Sequence, residues 1–525
     1  MMNRETDISE LDDFSRELFQ ELFKSTGKKE TLTPQERRQI ADLLHKAREE
    51  DLTQPIVDLF VLLRRLNVEK GFTPPDLDLE DHTLIQLARK HQDTDEHGVS
   101  IGGRVMKALP IVQEANDRTT DYLQRHLLEA PSGIELWDSI LDNQQRIKKV
   151  LGMQQEDWDS FNGQLRFAIE SVQTLAGILD LPEKAVEDID RVTRQYRMRL
   201  TPYYTSLIMP HAVNDPILLQ SVPTGEMVDN VGQEIPPVAA DHSPARLIDQ
   251  FYPRVSTIKV TNMCGMYCTH CLRIAHIGKK DRIYSKKAYQ EALDYIRSNT
   301  RIRDVLVTGG DAFVLPNAQL KWLLEELDQI DHVRLKRLGS RIPVTTPQRV
   351  DSELLDILEQ SNEKKPLRVV TQINTAREIT PVSRESFKQI SKRVSAVLNQ
   401  AVLLRGINDT STKMWKLCET IQEAYVRPYY VFNCSYRNPQ FAHLRVPIET
   451  GRDIIESMYG NISGDAIPRY IATAGGKIPL HRDNLQRREG RDLILRKPWS
   501  GETVIYPDAD EDGSDNLYSF ARYTK

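Results

Sequence analysis

Three of the five cysteines in the chain fall within eight positions. Cys264, Cys268 and Cys271 have the spacing C-x3-C-x2-C. Three thiolates on one short loop can each bind an iron of a [4Fe–4S] cluster, and the fourth iron then has no protein ligand. That open iron can bind a small molecule through an amine and a carboxylate, so the motif predicts electron transfer into a bound ligand.

The same spacing resembles the hallmark of the radical S-adenosylmethionine (SAM) superfamily. The alternative is a structural zinc site, which needs four closed ligands. His270 and His276 lie close enough in sequence to contribute, but Cys418 and Cys434 are far along the chain and form no second ligand pair. We therefore interpret the loop as a cluster site and keep zinc as the alternative.

Composition narrows the class of protein. The chain has 525 residues, 39% of them hydrophobic and 28% charged, which is typical of a soluble protein with two or three compact units. A net charge of −6 gives no electrostatic reason to expect nucleic acid or an anionic membrane as a partner. No apolar run approaches the roughly 20 residues needed to span a bilayer, and no signal peptide is evident. Because cysteines are also few, we expect a cytoplasmic protein.

The first part of the chain predicts helices. We assign residues 1–195 to an all-α N-terminal extension, with amphipathic stretches at 54–66, 81–93, 104–128, 134–151, 155–180 and 183–199. No chemistry-bearing cluster occurs in it. We interpret the extension as an interaction or oligomerisation module, so a homo-oligomer is one expected assembly.

Residues 196–499 predict an α/β fold, a partial (β/α) barrel. Short β-rich runs are expected at 257–261, 305–308, 333–338, 368–373, 401–405, 429–432 and 470–472, and helices at 285–298, 315–327, 352–360 and 383–398. This alternation predicts a parallel sheet whose carboxyl-end loops carry chemistry. Residues 500–525 are predicted to form an acidic, solvated tail.

Two further segments contain residues that can bind ligands. Gly309 and Gly310 end a β-rich run, where their carbonyls can approach a ligand closely, and Asp311 can accept from an ammonium. Lys477 follows two glycines beside an apolar run. Lost solvation would lower its pKa and make it an amine nucleophile, although in isolation an exposed lysine is the commoner case.

From about residue 175 to about residue 496 the chain resembles the lysine 2,3-aminomutase family. The resemblance rests on segments in matching order and spacing, which besides the cysteine loop are Arg199-Leu-Thr-Pro-Tyr-Tyr-Thr-Ser-Leu-Ile, Asn214-Asp-Pro, Tyr252-Pro, Asp304-Val-Leu-Val-Thr-Gly-Gly-Asp-Ala, Arg337-Leu-Gly-Ser-Arg-Ile-Pro-Val, Pro347-Gln-Arg-Val, Gln400-Ala-Val-Leu-Leu-Arg-Gly-Ile-Asn-Asp and Arg427-Pro-Tyr-Tyr.

The resemblance implies a partial barrel that uses a [4Fe–4S] cluster, SAM and pyridoxal 5′-phosphate (PLP). It implies that Lys477 is the PLP lysine and that Arg273 binds the substrate carboxylate. It also places Gly309, Gly310 and Asp311 at the SAM amino group. Gln400 and Gln372, which stands where the family has a histidine, are implied contacts of SAM.

The chain also departs from the family pattern. The glycine run before Lys477 is short, and a C-terminal cysteine-rich zinc segment is missing. Where lysine-acting members carry two aspartates for the distal ammonium, this chain has Ser435 and Thr473. These residues predict a substrate other than lysine, with glutamate favoured and Arg437 a candidate for binding its side chain.

We therefore predict an isomerase that converts an L-α-amino acid to its β-amino acid, with an electron donor such as flavodoxin or ferredoxin as partner. Two alternatives remain open at this point. One is a related enzyme that acts on a lysine of a protein substrate, with the N-terminal extension as a docking module. The other is a zinc-stabilised scaffold without enzymatic activity.

Overall fold

The computed structural model describes residues 33, 35, 39 and 111–507, apart from 211–213, 230–241, 278–279, 436–438, 474–476, 484, 491 and 498–500. The helices expected at 54–66 and 81–93 lie outside these residues. Contacts divide the chain into two compact units, Met1–Thr120 and Asp121–Lys525.

The boundary between the units lies earlier than the predicted position near residue 195. The helices after Asp121 belong to the second unit because their apolar faces form one core with later residues. Ile140, Ile147 and Leu175 pack in this core with Tyr204 and with Met266 of the cysteine loop. The expected helix at 155–180 is three short helices, because Ser160 and Ser171 cap new helix starts with their side chains.

The helices that precede the sheet are α1 to α9. Their bounds are Thr120–Glu129, Trp137–Leu151, Gln155–Trp158, Phe161–Arg166, Val172–Ile178, Glu183–Thr193, Pro202–Thr205, Pro216–Ser221 and Glu226–Asp229.

Nine strands form one sheet in sequence order, and its curl makes a half-barrel. The strands β1 to β9 are Ile248–Tyr252, Val255–Thr261, Asp304–Gly309, Leu335–Gly339, Leu367–Thr371, Ala396–Leu403, Arg427–Asn433, Arg469–Thr473 and Lys477–Pro479. The strands β2 to β8 are parallel, whereas β1 and β9 pair antiparallel with their neighbours. The expected α/β class and all seven expected strands are confirmed.

Helices connect the parallel strands. They are α10 to α17, with the bounds Ile274–Ile277, Lys286–Ser298, Asn317–Asp328, Ile342–Thr345, Ser352–Lys364, Pro381–Ser391, Ser411–Glu423 and Ile448–Glu456. Successive strand residues point to opposite faces. Val305, Leu338, Val369 and Val431 pack with these helices in the main core. We call this the outer face, and the opposite, concave side the inner face.

Two predicted boundaries differ from the structure. The helix expected at 383–398 ends at Ser391, because the apolar residues after it begin β6 at Ala396. Part of the predicted acidic tail is structured, since a strand at Thr503–Pro507 pairs with Asp492–Arg496, which in turn pairs with Leu485–Glu489. Among the described residues, no helix is both long and apolar enough to cross a membrane.

Candidate active site

The cysteine loop begins directly after β2, at the carboxyl end of the first parallel strand. Cys264, Cys268 and Cys271 are free thiols of intermediate exposure. Two backbone hydrogen bonds hold the loop against the helical region, from Tyr267 N to Arg199 O (3.1 Å) and from Thr269 N to Gln220 O (3.0 Å). The loop is thus fixed by the same core that anchors the early helices.

The three thiols lie near one another on the cysteine loop. They are close enough to affect one another: burial, then the carboxylate of Asp311 and the thiols of Cys271 and Cys268, raise the pKa of Cys264. Burial and Cys268 likewise raise the pKa of Cys271 to about 11. No three His, Cys, Asp or Glu side chains in the described part of the chain surround one ion position. A cubane instead takes each thiolate on a different iron. A cavity of about 240 Å³ borders Cys268 and Cys271.

Arg341 places a cation beside the cysteine loop. It follows β4, and its Nη1 donates to Cys268 Sγ over 2.8 Å. Its Nη2 donates to the buried carboxylate of Glu378 and to Gln220, both at 2.6 Å. This arginine lies in a segment that matches the family, but the sequence alone predicted no role for it. An arginine that directly follows a Gly-Ser strand end was the signal available.

The glycine turn after β3 packs directly on the cysteine loop. Gly310 N donates to Thr261 O (2.5 Å) and Asp311 N donates to Met263 O (2.8 Å). A Cβ on Gly310 would lie 2.1 Å from Met263 O, so only glycine fits this contact. The turn and the loop therefore form one unit at the carboxyl edge of the sheet.

The expectation that Asp311 accepts from a ligand ammonium does not agree with the structure. Its side chain is buried and accepts from the backbone N–H groups of Phe313 (2.9 Å), Arg341 (2.6 Å) and Ile342 (3.2 Å). Burial raises the pKa of this carboxyl. Asp311 thus ties the glycine turn to the Arg341 segment, and the carbonyls of Gly309 and Gly310 remain the groups that can contact a ligand.

Arg273 lies two residues beyond the last cysteine and extends over the inner face. Its Nη1 donates to Gly309 O (3.1 Å) and to Thr308 Oγ1 (3.3 Å). No carboxylate among the described residues forms an ion pair with it. The remaining nitrogens of the guanidinium can therefore bind a carboxylate in two-point fashion.

The two glutamines lie on neighbouring strands. Gln372 follows β5, and its Oε1 is 3.4 Å from His270 Nε2 and 4.0 Å from Cys268 Sγ, so it borders the cysteine loop. Burial lowers the pKa of His270 to about 3, so this ring is neutral. Gln400 lies within β6, half-buried, at a bulge where its Cα pairs with Tyr430.

Lys477 is the first residue of β9 and pairs with Thr473 at the end of β8. Its Nζ lies 4.5 Å from the centre of the Tyr430 ring. Burial lowers the pKa of Lys477, and the nearby charge of Arg337 lowers it further. A half-buried lysine with a lowered pKa over an aromatic ring is an amine available as a nucleophile.

Positive charge predominates on the parallel strands. Asp304 is the single acidic residue within β2 to β8, and its Oδ1 pairs with Arg337 Nε at 2.8 Å. Lys259 pairs with Asp249 of β1 at 2.7 Å. Arg273 and Lys477 have no such carboxylate partner among the described residues. The described residues of the parallel strands therefore offer no unpaired carboxylate, and Arg273 and Lys477 add positive charge beside them.

The structure thus brings together most of the predicted site. The cysteines, Arg273, the glycine turn and Gln372 meet at the carboxyl end of β2, β3 and β5, and Lys477 and Gln400 meet at Tyr430. Ser435 is half-buried just after β7. Arg437 and the two glycines before Lys477 lie outside the described residues, so the role of Arg437 stays a prediction.

A half-barrel that collects thiols, cations and a nucleophilic lysine at its carboxyl edge and inner face is the layout of an α/β-barrel enzyme. Comparison with known proteins identifies which enzymes it resembles. The chain is 37% identical over 399 residues to glutamate 2,3-aminomutase of Clostridioides difficile, covering 75% of this chain and 93% of that protein. It is 35% identical over 366 residues to L-lysine 2,3-aminomutase of Methanococcus maripaludis, covering 68% and 83% of the two chains.

A third relative, L-lysine 2,3-aminomutase of Clostridium subterminale, is 33% identical over 355 residues, or 67% of this chain and 84% of that one. No family model matches the chain. The chain belongs to the lysine 2,3-aminomutase family. It is an isomerase, and enzymes of this family are radical SAM, iron–sulfur and PLP-dependent. The alternative of a non-enzymatic zinc scaffold does not agree with this membership.

Proposed function

We propose that the protein is a radical SAM and PLP-dependent amino acid 2,3-aminomutase whose substrate is an L-α-amino acid other than lysine, with glutamate favoured. Membership of the family supports the reaction class. The choice of substrate rests on one observation, the absence of a free carboxylate on the described parallel strands.

A substrate with a distal ammonium needs a counter-charge in a dry site, since an unpaired buried charge costs several kcal/mol. Asp304 is the single acid in β2 to β8, and Arg337 already neutralises it. Ser435 and Thr473, at the ends of β7 and β8, contribute hydroxyls only. A substrate whose side chain is anionic or neutral needs no carboxylate from the protein. The cations Arg273 and Lys477, which are unpaired among the described residues, favour an anionic side chain over a neutral one.

The position of each predicted site residue is consistent with a specific role in binding a cofactor or the substrate. When bound, the cluster with SAM supplies a carbon radical, and PLP supplies a conjugated ring that delocalises an unpaired electron. The three cysteines hold the cluster, and the carbonyls of Gly309 and Gly310 hold the SAM amino group. Arg273 orients the substrate carboxylate, and Lys477 anchors PLP. Gln372 and Gln400 are the proposed contacts of SAM.

The alternative of a protein-bound lysine as substrate fits these residues less well, because a lysine within a chain has no free carboxylate for Arg273 and no free α-amine for PLP. Reduction of the cluster requires an electron donor, for which a flavodoxin or ferredoxin is suitable. An oxygen-labile cluster and few cysteines fit a reducing cytoplasm.

The test uses the full chain, reconstituted without oxygen with iron, sulfide and PLP, then mixed with SAM, a reductant and each of the twenty amino acids. Mass spectrometry should detect β-glutamate and no β-lysine. Efficient conversion of lysine would overturn the substrate proposal. Bound zinc without iron, or no β-amino acid from any substrate, would overturn the reaction class.

A further inference from the structure

A buried cation donates a hydrogen bond to one thiol of the cysteine loop. Arg341 Nη1 lies 2.8 Å from Cys268 Sγ. The side chain of Arg341 is 10% exposed, and a charge so well shielded from water acts strongly on its neighbours. Arginine stays protonated throughout the pH range of folded proteins, so Cys268 faces a positive charge at every such pH.

The other N–H groups of Arg341 hold its guanidinium in place. Nε donates to Gln372 O over 2.8 Å, and Nη2 donates to Gln220 Oε1 and Glu378 Oε1, both over 2.6 Å. Glu378 is held in turn, because its Oε2 accepts from Asn374 N over 2.7 Å. The guanidinium therefore cannot turn away from the sulfur without leaving buried polar groups unpaired, which costs free energy.

The sulfur of Cys268 and the carboxylate of Glu378 contact different nitrogens of the same guanidinium. Nη1 faces the sulfur and Nη2 faces the carboxylate, so the positive charge lies nearer to the sulfur than the negative charge does. The ion pair is neutral as a whole. The thiol nevertheless experiences a net positive potential, which the carboxylate weakens without cancelling it.

Hydrogen bonds to the sulfurs are one means by which a protein sets the reduction potential of an iron–sulfur cluster. In the proposed function a one-electron donor such as flavodoxin or ferredoxin reduces the cluster, which gains one negative charge and no proton. The cysteine sulfurs carry part of that added charge. A fixed N–H donor and an adjacent cation stabilise the reduced form more than the oxidised form, and this difference raises the potential.

We propose that Arg341 is a positioning residue that raises the reduction potential of the cluster through Cys268, and that Glu378 limits the rise. The inference rests on the proposed function, in which the three cysteines hold the cluster. A higher potential lets a weaker electron donor reduce the cluster. The limit that Glu378 sets keeps the reduced cluster able to pass its electron on to SAM.

The test is a redox titration of the reconstituted full chain, without oxygen and without SAM, followed by electron paramagnetic resonance of the reduced cluster. Arg341→Met/Glu378→Gln removes the hydrogen bond together with both charges. At a fixed solution potential its ratio of reduced to oxidised cluster should fall about tenfold, which is about 59 mV for a one-electron couple. Glu378→Gln alone keeps the hydrogen bond and leaves the cation without its counter-charge, so the ratio should rise.

The matched control is the ion pair between Arg377 and Asp215, whose side chains are 12% exposed and fully buried. In the described part of the chain this pair forms no hydrogen bond with a thiol. Arg377→Met/Asp215→Asn should therefore keep the wild-type potential. A purely structural role of Arg341 predicts the same potential in every variant that holds a cluster. That result, or an equal shift in the control, or shifts of one sign in both Glu378 variants, overturns the inference.

A measurement on the wild type covers the case in which the Arg341 variant does not fold. With isotopically labelled guanidinium nitrogens, pulsed electron paramagnetic resonance of the reduced cluster should detect a coupled nitrogen. The coupling should persist in Arg273→Lys, which removes the guanidinium two residues beyond the last cysteine. Absence of the coupling in the wild type, or its loss in Arg273→Lys, overturns the inference.

Failure of the proposed function gives a different result. A wild-type protein that holds no cluster after reconstitution overturns the proposed function and the role of Arg341 with it. A wild-type protein that forms a β-amino acid, while its variants show unshifted potentials, overturns the role of Arg341 alone.

Discussion

Arg341 joins Cys268 to Glu378. One terminal nitrogen of its guanidinium lies 2.8 Å from the cysteine sulfur, and the other lies 2.6 Å from the carboxylate, which is fully buried. The position of a predicted cluster ligand thus depends on an ion pair between the segments that follow β4 and β5.

Arg341→Met should destabilise the protein strongly, because Glu378 is then a buried carboxylate without a counter-charge. We expect a loss of about 3–5 kcal/mol in the free energy of unfolding. The double variant Arg341→Met/Glu378→Gln should recover part of it, since both charges are gone. Urea unfolding of the three proteins measures the difference, and a double variant no more stable than the single one would contradict this explanation.

Replacing any of Cys264, Cys268 or Cys271 with alanine should abolish the cluster, because each thiolate is expected to bind a different iron. Cys418 and Cys434 are buried away from the loop, and their alanine variants should keep iron and sulfide at wild-type levels. Iron analysis measures how much cluster each variant retains, and SAM cleavage assays measure whether that cluster is active. Full iron content in the triple variant of the loop would exclude the assignment.

Lys477 should capture PLP at a lower pH than an ordinary lysine does. Only the neutral amine reacts, so capture should become faster as pH rises and level off above the lowered pKa. Asp304 acts in the opposite direction and raises that pKa, so Asp304→Asn should shift the profile to lower pH.

The rate of the absorbance change on mixing with PLP gives this profile. Borohydride reduction and peptide mapping should place the label on Lys477. A label on another lysine would show that the assignment is wrong.

Thr473→Asp should reduce kcat/KM for glutamate, because the new carboxylate would lie beside Lys477, its partner in the β8–β9 register. We expect a loss of about tenfold or more, corresponding to at least one unfavourable charge contact. Thr473→Val has a similar shape and no charge, and it should affect turnover less. Equal losses of kcat/KM in both variants would show that removal of the hydroxyl, and not the added charge, causes the effect.

Gly310→Ala should disturb the contact between the glycine turn and the cysteine loop, since the added Cβ would clash with Met263 O. We expect the free energy of unfolding to fall by about 1–3 kcal/mol, as at other overpacked sites. The variant should also retain less iron. Gly464→Ala is the control, because nothing lies within 4 Å of a Cβ there. Thermal unfolding and iron analysis of both variants provide the comparison.

The seven parallel strands of the half-barrel could be predicted because each is a short β-rich run between turn signals, whereas the edge strands β1 and β9 were not expected. Boundaries were less predictable where two apolar patterns adjoin, as between Ser391 and Ala396. New helices begin after Ser160 and Ser171 because each side chain accepts a hydrogen bond from a backbone N–H of the first helical turn. The spacing of apolar residues does not reveal such caps.

The site could be predicted where chemistry depends on spacing, as in the cysteine loop and in Lys477 after its glycines. The roles of Arg341 and Asp311 could not, because they depend on which strands are neighbours. Asp311 was predicted to face a ligand, yet three backbone amides from two later segments surround it.

Lys477 begins β9, the last strand of the sheet, and its backbone contacts Tyr252 on β1, the first strand. The side chain of Tyr252 therefore extends from the first strand to the backbone of the residue proposed to carry PLP. The surroundings of this lysine therefore include residues from both ends of the sheet, so we expect PLP to attach to the folded protein. A chain that stalls with part of the sheet formed would present an ordinary, protonated lysine and remain without PLP.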